Sequence, residues 1–373
     1  VIWLAAASLV SWLVLLFARG WFWTGRDDDS AVPADPAHWP DVTVVIPARD
    51  EAPSIAATVR SVLAQDYPGR ISLFVVDDRS SDGTGAIARA AGDERLTVVQ
   101  GQGRAEGWTG KLWALQQGLD AAKPTTPYIL FTDADITHAP DSLRCLVARA
   151  EAGGLVLVSL MAKLRCESAA ERWFIPAFIY FFQMLYPFRW ANDPRARTAA
   201  AAGGCVLLRR AAFEAAGGLA SIRGAMIDDC TLAGVMKRQG PIWLGLTERV
   251  HSLRACETVE PIRKMVARTA YAQLRYNPFL LVGMLAALSL VFLAPPLLAL
   301  CGPGWARALG ALAWAGMVLS YAPTLRRYGL GVWRGLALPG IAFYYMLFTL
   351  DSAIAEYRGR GGMWKGEAAP KRP

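Results

Sequence analysis

Three long apolar segments follow Pro278, at roughly 279–301, 305–323 and 335–350. Each approaches the about 20 residues with which a helix crosses the hydrocarbon core of a bilayer. A chain that carries them must immerse or cover three helices, which excludes an ordinary soluble enzyme as the description of the whole. Composition agrees: of 373 residues 54% are apolar and 19% charged, and the apolar surplus sits at the two ends around a mixed middle. At the start, Val1 to Phe17 is an apolar run closed by Arg19 and Arg26. It reads as a retained transmembrane anchor over residues 1–20, with a cleaved signal peptide as the alternative. Residues 279–352 form the C-terminal membrane region, and 353–373 a basic tail. A further apolar stretch, WFIPAFIYFFQMLYPFRW at 173–190, contains Pro176 and ends in Trp173, Arg189 and Trp190. A span there would cut the middle in two, so an interfacial helix is expected.

The net charge of +8 comes from Lys and Arg that are scattered or flank apolar runs. No basic-aromatic recognition motif accompanies them, so no nucleic-acid partner is expected and the charge suits membrane surfaces and phosphates. Six cysteines lack the close spacing of a zinc or redox motif, and three distant histidines point to no metal cluster.

From Asp41 onward, short β-branched runs alternate with Ala-rich helical stretches. Strands are predicted at Val42–Pro47, Ile71–Val76, Leu96–Val99 and Tyr128–Thr132, with helices at Pro53–Gln65, Thr84–Ala91 and Lys111–Ala121. Apolar strands separated by helices predict a Rossmann-like, mostly parallel sheet covered on both faces. Ligands of such sheets bind beyond the carboxyl ends of the strands, which places Asp77, Asp78, Asp133 and Asp135 along one edge.

Asp133-Ala134-Asp135 closes an apolar strand, where two carboxylates can hold one hard cation, Mg2+ or Mn2+, while a diphosphate fills its other positions; a solvated turn is the plain alternative. Asp77-Asp78 also ends a strand, and a carboxylate there can accept hydrogen bonds from a base or ribose, with Ser81 or Asp82 capping the next helix. Lys111 follows Gly110 at a helix start, a place that favours phosphate but equally suits a surface charge. Asp228-Asp229 follows Gly203-Gly204 and Gly217-Gly218. Adjacent buried carboxylates repel, which raises one pKa and suits a general base; alternatively an Asp caps a helix over Thr231–Arg238.

These pieces, in this order, resemble the inverting family-2 glycosyltransferases of GT-A fold over roughly residues 41–276. Pro47-Ala48-Arg49-Asp50-Glu51 resembles the opening P-x-x-N-E, with Asp50 where Asn is usual. Asp77-Asp78 looks like the nucleotide-binding pair, Gly110-Lys111-Leu112-Trp113-Ala114-Leu115 is similar to G-K-x-x-A-L, Asp133-Ala134-Asp135 matches the metal-binding D-x-D, and Asp228-Asp229-Cys230-Thr231-Leu232 matches E-D-x-x-L with Asp for Glu. Gln273-Leu274-Arg275-Tyr276 is an imperfect likeness of Q-x-x-R-W, one residue short and with Tyr for Trp; Trp364-Lys365-Gly366-Glu367 resembles a W-K-G-R tail. Within the family, the layout of spans and the GWTGKLWALQQG stretch are most similar to the hopene-associated membrane glycosyltransferases of bacterial hopanoid synthesis.

The resemblance implies a GT-A catalytic domain carried by N- and C-terminal transmembrane helices. It implies a nucleotide-sugar donor, with a lean to UDP, against Pro47, Ala48, Glu51, Asp77 and Asp78. Mg2+ or Mn2+ falls to Asp133 and Asp135, positive charge for the diphosphate to Lys111 and Arg275, and the catalytic base to Asp229. The acceptor would be a hopanoid or polyisoprenoid lipid meeting Phe181, Phe182 and Asp228. Cytosolic donors, with Arg19 and Arg26, place the catalytic domain on the cytoplasmic side of a multi-pass inner-membrane protein. Three full trailing spans would put the basic tail outside, so one of the three is expected to be re-entrant or interfacial. The competing readings are a processive polysaccharide synthase, which would want an intact Q-x-x-R-W and more spans, and a non-catalytic lipid-binding scaffold.

Overall fold

The structure, a computed structural model, describes residues 1–361. The Trp364–Glu367 motif and most of the basic tail lie outside the described residues. Over the described residues the chain divides into two compact units, one made of Asp27–Arg165 and Trp190–Arg254, the other of Val1–Arg26, Cys166–Arg189 and residues 255–361.

The first unit is built on one eight-stranded sheet: β1 (Val42–Ala48), β2 (Ile71–Asp77), β3 (Leu96–Gln100), β4 (Tyr128–Thr132), β5 (Ile136–His138), β6 (Leu157–Lys163), β7 (Cys205–Arg209) and β8 (Ile242–Ser252). Their spatial order is β3-β2-β1-β4-β7-β6-β8-β5. The half from β3 to β4 is all parallel. β7 then pairs antiparallel with β4 and with β6, β8 runs parallel to β6, and β5 is antiparallel to β8. The result is the mostly parallel, Rossmann-like sheet of a GT-A domain, with an antiparallel seam at β4/β7.

The apolar runs of β1, β2 and β4 are continuous because both faces are covered. On one face Val44, Ile46, Leu73 and Val75 pack with Ile55 and Val59 of the helix Ile55–Leu63. On the other, Val45, Val76 and Phe131 pack with Leu112 and Leu115 of the helix Gly110–Ala122. Gly118 of that helix makes the closest approach: a Cβ there would lie 2.4 Å from Val45 Cγ1 and 2.9 Å from Val76 Cγ2. Gly118→Ala adds about 1 kcal/mol of helix propensity, but forcing the helix off the sheet costs about 1–3 kcal/mol. A net loss of up to about 2 kcal/mol is therefore expected, visible as a lowered unfolding midpoint; a raised midpoint would show that the helix can shift freely.

The second unit is helical. Among the described residues, three stretches are long and apolar enough to cross a membrane: Pro278–Cys301, Trp305–Arg327 and Val332–Tyr357. The first is not a uniform α-helix, since Ser289–Leu293 forms a π turn just before Pro295 and Pro296, as expected where proline withdraws an N–H. Ile2–Phe17 is an apolar helix of 16 residues, shorter than these; its Trp12 indole donates to the Val291 carbonyl at 2.7 Å. The stretch anticipated at 173–190 falls mostly within the helix Ala169–Leu185. It packs against the two long helices that follow Pro303: the Tyr180 and Ser320 hydroxyls are 2.7 Å apart, and the Tyr345 hydroxyl donates to the Phe174 carbonyl at 2.9 Å. The helix starts with a reciprocal cap, in which Ser168 Oγ accepts from the Glu171 N–H while the Glu171 carboxylate accepts from the Ser168 N–H.

Candidate functional site

The antiparallel seam brings the carboxyl end of β4 beside the amino end of β7. Thr132 Oγ1 donates to the Gly204 carbonyl at 2.8 Å and stands 2.9 Å from His138 Nε2. Asp133 therefore emerges next to the Gly203-Gly204 turn. Across from it the helix Gly110–Ala122 begins, with the Thr109 N–H donating to the Arg223 carbonyl at 2.9 Å. From its first turn Lys111 Nζ reaches Asp133 Oδ1 at 2.7 Å and Asp228 Oδ2 at 3.7 Å.

Asp228 and Asp229 lie in the first turn of the helix Asp228–Met236, which starts three residues before the predicted Thr231. Acidic side chains are stabilised there by the helix dipole. The Asp229 carboxylate is held by two backbone donors: Oδ2 accepts from the Gly203 N–H at 3.0 Å and Oδ1 from the Cys230 N–H at 2.7 Å. Burial, and next the neighbouring Asp228, push its pKa up to about 6 against the pull of Lys111 and the two N–H groups. Burial alone would lower the Lys111 ammonium, but Asp133 and then Asp228 outweigh it and hold it above the usual lysine range. Burial also raises Asp133, against the pull of Lys111. One cavity is lined by Pro47, Lys111, Asp133, Gly203, Asp228 and Asp229, with Leu112, Phe131 and Leu232 among its apolar walls.

Asp135, two residues on, is almost covered, with a side chain 11% exposed, and its Oδ2 accepts from Arg254 Nε at 2.7 Å. Arg254 Nη2 donates to Glu51 Oε1, also at 2.7 Å. Asp77 and Asp78 are both buried. Asp77 Oδ1 accepts from the Ser80 N–H at 3.0 Å, while Asp78 pairs with Arg49 at 3.3 Å and Arg79 at 3.5 Å. The Asp78 N–H donates to the Ala48 carbonyl at 2.8 Å, which ties the ends of β1 and β2 together. Asp82 accepts from the Ala52 and Thr84 N–H groups, so the turn after β2 is braced onto the loop that carries Glu51.

The sheet unit thus gathers Pro47, Ala48, Glu51, Asp77, Asp78, Lys111, Asp133, Asp135, Asp228 and Asp229 at one edge. Arg275, Phe181 and Phe182 belong to the helical unit. There Arg275 follows the short helix Ala270–Gln273 with φ 53°, and Phe181 packs on Phe292 and Tyr345. Two site residues escaped the sequence. Arg254 sits 119 and 203 positions from its partners in no motif, and the Gly203 N–H shows itself only as part of a Gly-Gly pair.

Among the described residues no three or more His, Cys, Asp or Glu side chains gather as a ligand set. Asp133 and Asp135 supply two carboxylates in one turn, the donor number with which Mg2+ or Mn2+ is held when substrate phosphates complete its sphere. The oxygen chemistry therefore fits such a cation.

Comparison with known proteins agrees with the fold. Residues 43–217 match the family described as Glycosyl transferase family 2. The succinoglycan biosynthesis protein ExoO of Rhizobium meliloti (strain 1021) is 36% identical over 153 residues, 38% of this chain and 42% of that protein. The 4,4'-diaponeurosporenoate glycosyltransferase of Staphylococcus aureus (strain MRSA252) is 36% identical over 108 residues, 28% of this chain and 27% of that protein. The chain thus spans less than half the length of either relative. The mannosyltransferase PcManGT of Pyrobaculum calidifontis, solved in complex with GDP-Man and Mn2+, superposes with a TM-score of 0.54 at 20% identity, covering 98% of this chain and 100% of that one. At that identity the likeness speaks to the fold alone.

Proposed function

We propose, from the match of residues 43–217 to the family described as Glycosyl transferase family 2, that the protein is an inverting transferase that moves a sugar from a nucleotide-sugar donor to a hydroxyl of a lipid acceptor at the membrane. The observation that carries the reading is the Asp229 carboxylate, pinned by two backbone N–H groups in the cavity that Lys111 and Asp133 also line.

Asp229 takes the proton of the acceptor hydroxyl as its oxygen attacks the anomeric carbon. The bond from that carbon to the diphosphate breaks, its electron pair leaves with the nucleoside diphosphate, and the carbon inverts. Lys111, already set among three carboxylates, offers charge to the departing phosphate. A divalent cation on Asp133 and Asp135 would neutralise the diphosphate as it leaves. Asp77, Asp78, Pro47, Ala48 and Glu51, at the ends of β1 and β2, form the face for base and ribose, with UDP the favoured donor.

A lipid acceptor is supported by the three long apolar stretches and by a relative named for glycosyl transfer to diaponeurosporenoate. A hopanoid or other polyisoprenoid is the finer assignment. The apolar stretches also support a membrane protein, and cytosolic donors favour a catalytic domain on the cytoplasmic side. A second reading, transfer to a growing saccharide, draws on the relative named for succinoglycan biosynthesis.

The test is a screen of nucleotide sugars with membrane extract and Mn2+ or Mg2+, followed by mass spectrometry of the lipid fraction. A single-sugar lipid product, formed from one donor and lost with chelator, is expected. A ladder of saccharide lengths would favour the second reading, and no donor turnover under any condition would leave only a scaffold.

A further inference from the structure

Both carboxylates proposed to hold the cation already carry a positive side chain. Asp133 has Lys111, which it shares with Asp228. Asp135 has Arg254, whose guanidinium is divided between Asp135 Oδ2 and Glu51 Oε1, each at 2.7 Å. The two acceptor side chains are 11% and 13% exposed, while that of Arg254 is 49% exposed. The acceptors are also fixed from behind. The Leu253 N–H donates to the Asp135 carbonyl at 2.8 Å, which locks the acid to the strand end that delivers the arginine. Glu51 accepts from the Ser54 hydroxyl at 3.2 Å. The carboxylates are thus the fixed parts and the guanidinium the movable one.

We propose that Arg254 is a resident counter-cation of Asp135, which a divalent cation must displace, so that metal binds well only together with the nucleoside diphosphate. This rests on Asp133 and Asp135 being the metal-holding pair. A guanidinium cannot shed its charge in a protein, so it leaves Asp135 only by exchanging partners. A diphosphate offers what it needs, since its oxygens match the guanidinium fork. Metal and nucleotide arriving together let the carboxylates trade one cation for another and the arginine trade one anion for another, with no charge left bare. Metal alone would leave the guanidinium with only Glu51 and solvent, one carboxylate partner short. Arg254 is thereby a positioning residue, and it couples metal to nucleotide beyond the phosphate ligands that the nucleotide itself contributes.

The experiment measures Mn2+ binding by electron paramagnetic resonance on the purified full chain, with no nucleotide, with UDP and, separately, with GDP. Arg254→Gln is expected to tighten nucleotide-free Mn2+ binding about tenfold, within the usual range of coupling between two ligands, and to shrink the gain that nucleotide brings. Arg254→Lys keeps the charge but cannot bridge both acids, and about threefold tightening is expected; it decides the matter where the Gln variant does not fold. Nucleotide-free affinity that is unchanged or weaker in these variants, with nucleotide-dependent Mn2+ binding intact in the wild type, would overturn the counter-cation alone. Failure of the wild type to bind Mn2+ with either nucleotide would overturn it together with the metal assignment.

Discussion

Asp229→Asn is expected to lower sugar transfer by about 10²–10⁴-fold, the contribution typical of a positioned general base. Donor affinity should change little, because this carboxylate is held by the Gly203 and Cys230 N–H groups and not by residues at the ends of β1 and β2. The amide keeps the shape and one carbonyl acceptor but cannot take a proton. The wild type carries a second signature. With the Asp229 pKa pushed up to about 6 by burial and by Asp228, the base is protonated at low pH. The kcat/KM profile should therefore rise with pH through about 6 and level off above it. The Asn variant should lose that limb along with most of its rate. Near wild-type transfer by a folded Asn variant, or a profile flat from pH 5 to 7, would remove Asp229 from the role of base.

The largest effect on stability is expected at Glu171. Glu171 is a fully buried acid in the helical unit. Its carboxylate accepts from the Glu167 and Ser168 N–H groups, each at 2.8 Å, and from the Cys256 N–H at 2.6 Å. Glu171→Ala leaves three backbone donors without this acceptor, at about 1–3 kcal/mol for each donor left truly unsatisfied. Water entering the gap would recover part of that, so a loss of about 3–4 kcal/mol is expected in detergent-solubilised protein. Glu171→Gln, which retains one oxygen, should lose less. A loss under about 1 kcal/mol for the Ala variant would mean that the loop at Cys256 finds other partners at once.

The parallel half of the sheet was legible because each strand there is a short apolar run closed by an acid or a turn, and both faces are covered. Predicted and observed bounds differ by one residue at β1, β2 and β3, and agree at β4. Beyond residue 140 the pattern blurs. β6 and β7 lie in Ala-, Gly- and Leu-rich sequence whose composition suits helix as well as strand, so the antiparallel seam had no local sign. Asp228 was expected before its helix, but the helix starts on it, since an acid in the first turn is as well placed as a cap. The Ser168-x-x-Glu171 cap was readable as a pattern; its third partner, Cys256, lies 85 residues away and was not. The Arg254 pairings were hidden for the same reason. Local chemistry writes itself into neighbouring residues, whereas an ion pair across the fold depends on where two strand ends happen to meet.

The pairing of β4 with β7 has a consequence for how such a chain can diversify. Between β6 and β7 the polypeptide leaves the sheet unit at Cys166 and re-enters it at Trp190. Antiparallel neighbours ask only that the returning strand come back into register. The detour can thus be lengthened or rebuilt at a loop-closure penalty of about 0.6 kcal/mol per doubling, while Thr132, Asp133 and Gly203 stay in place. A lineage could then refit this excursion to new hydrophobic surroundings without re-evolving the chemistry of the sheet unit.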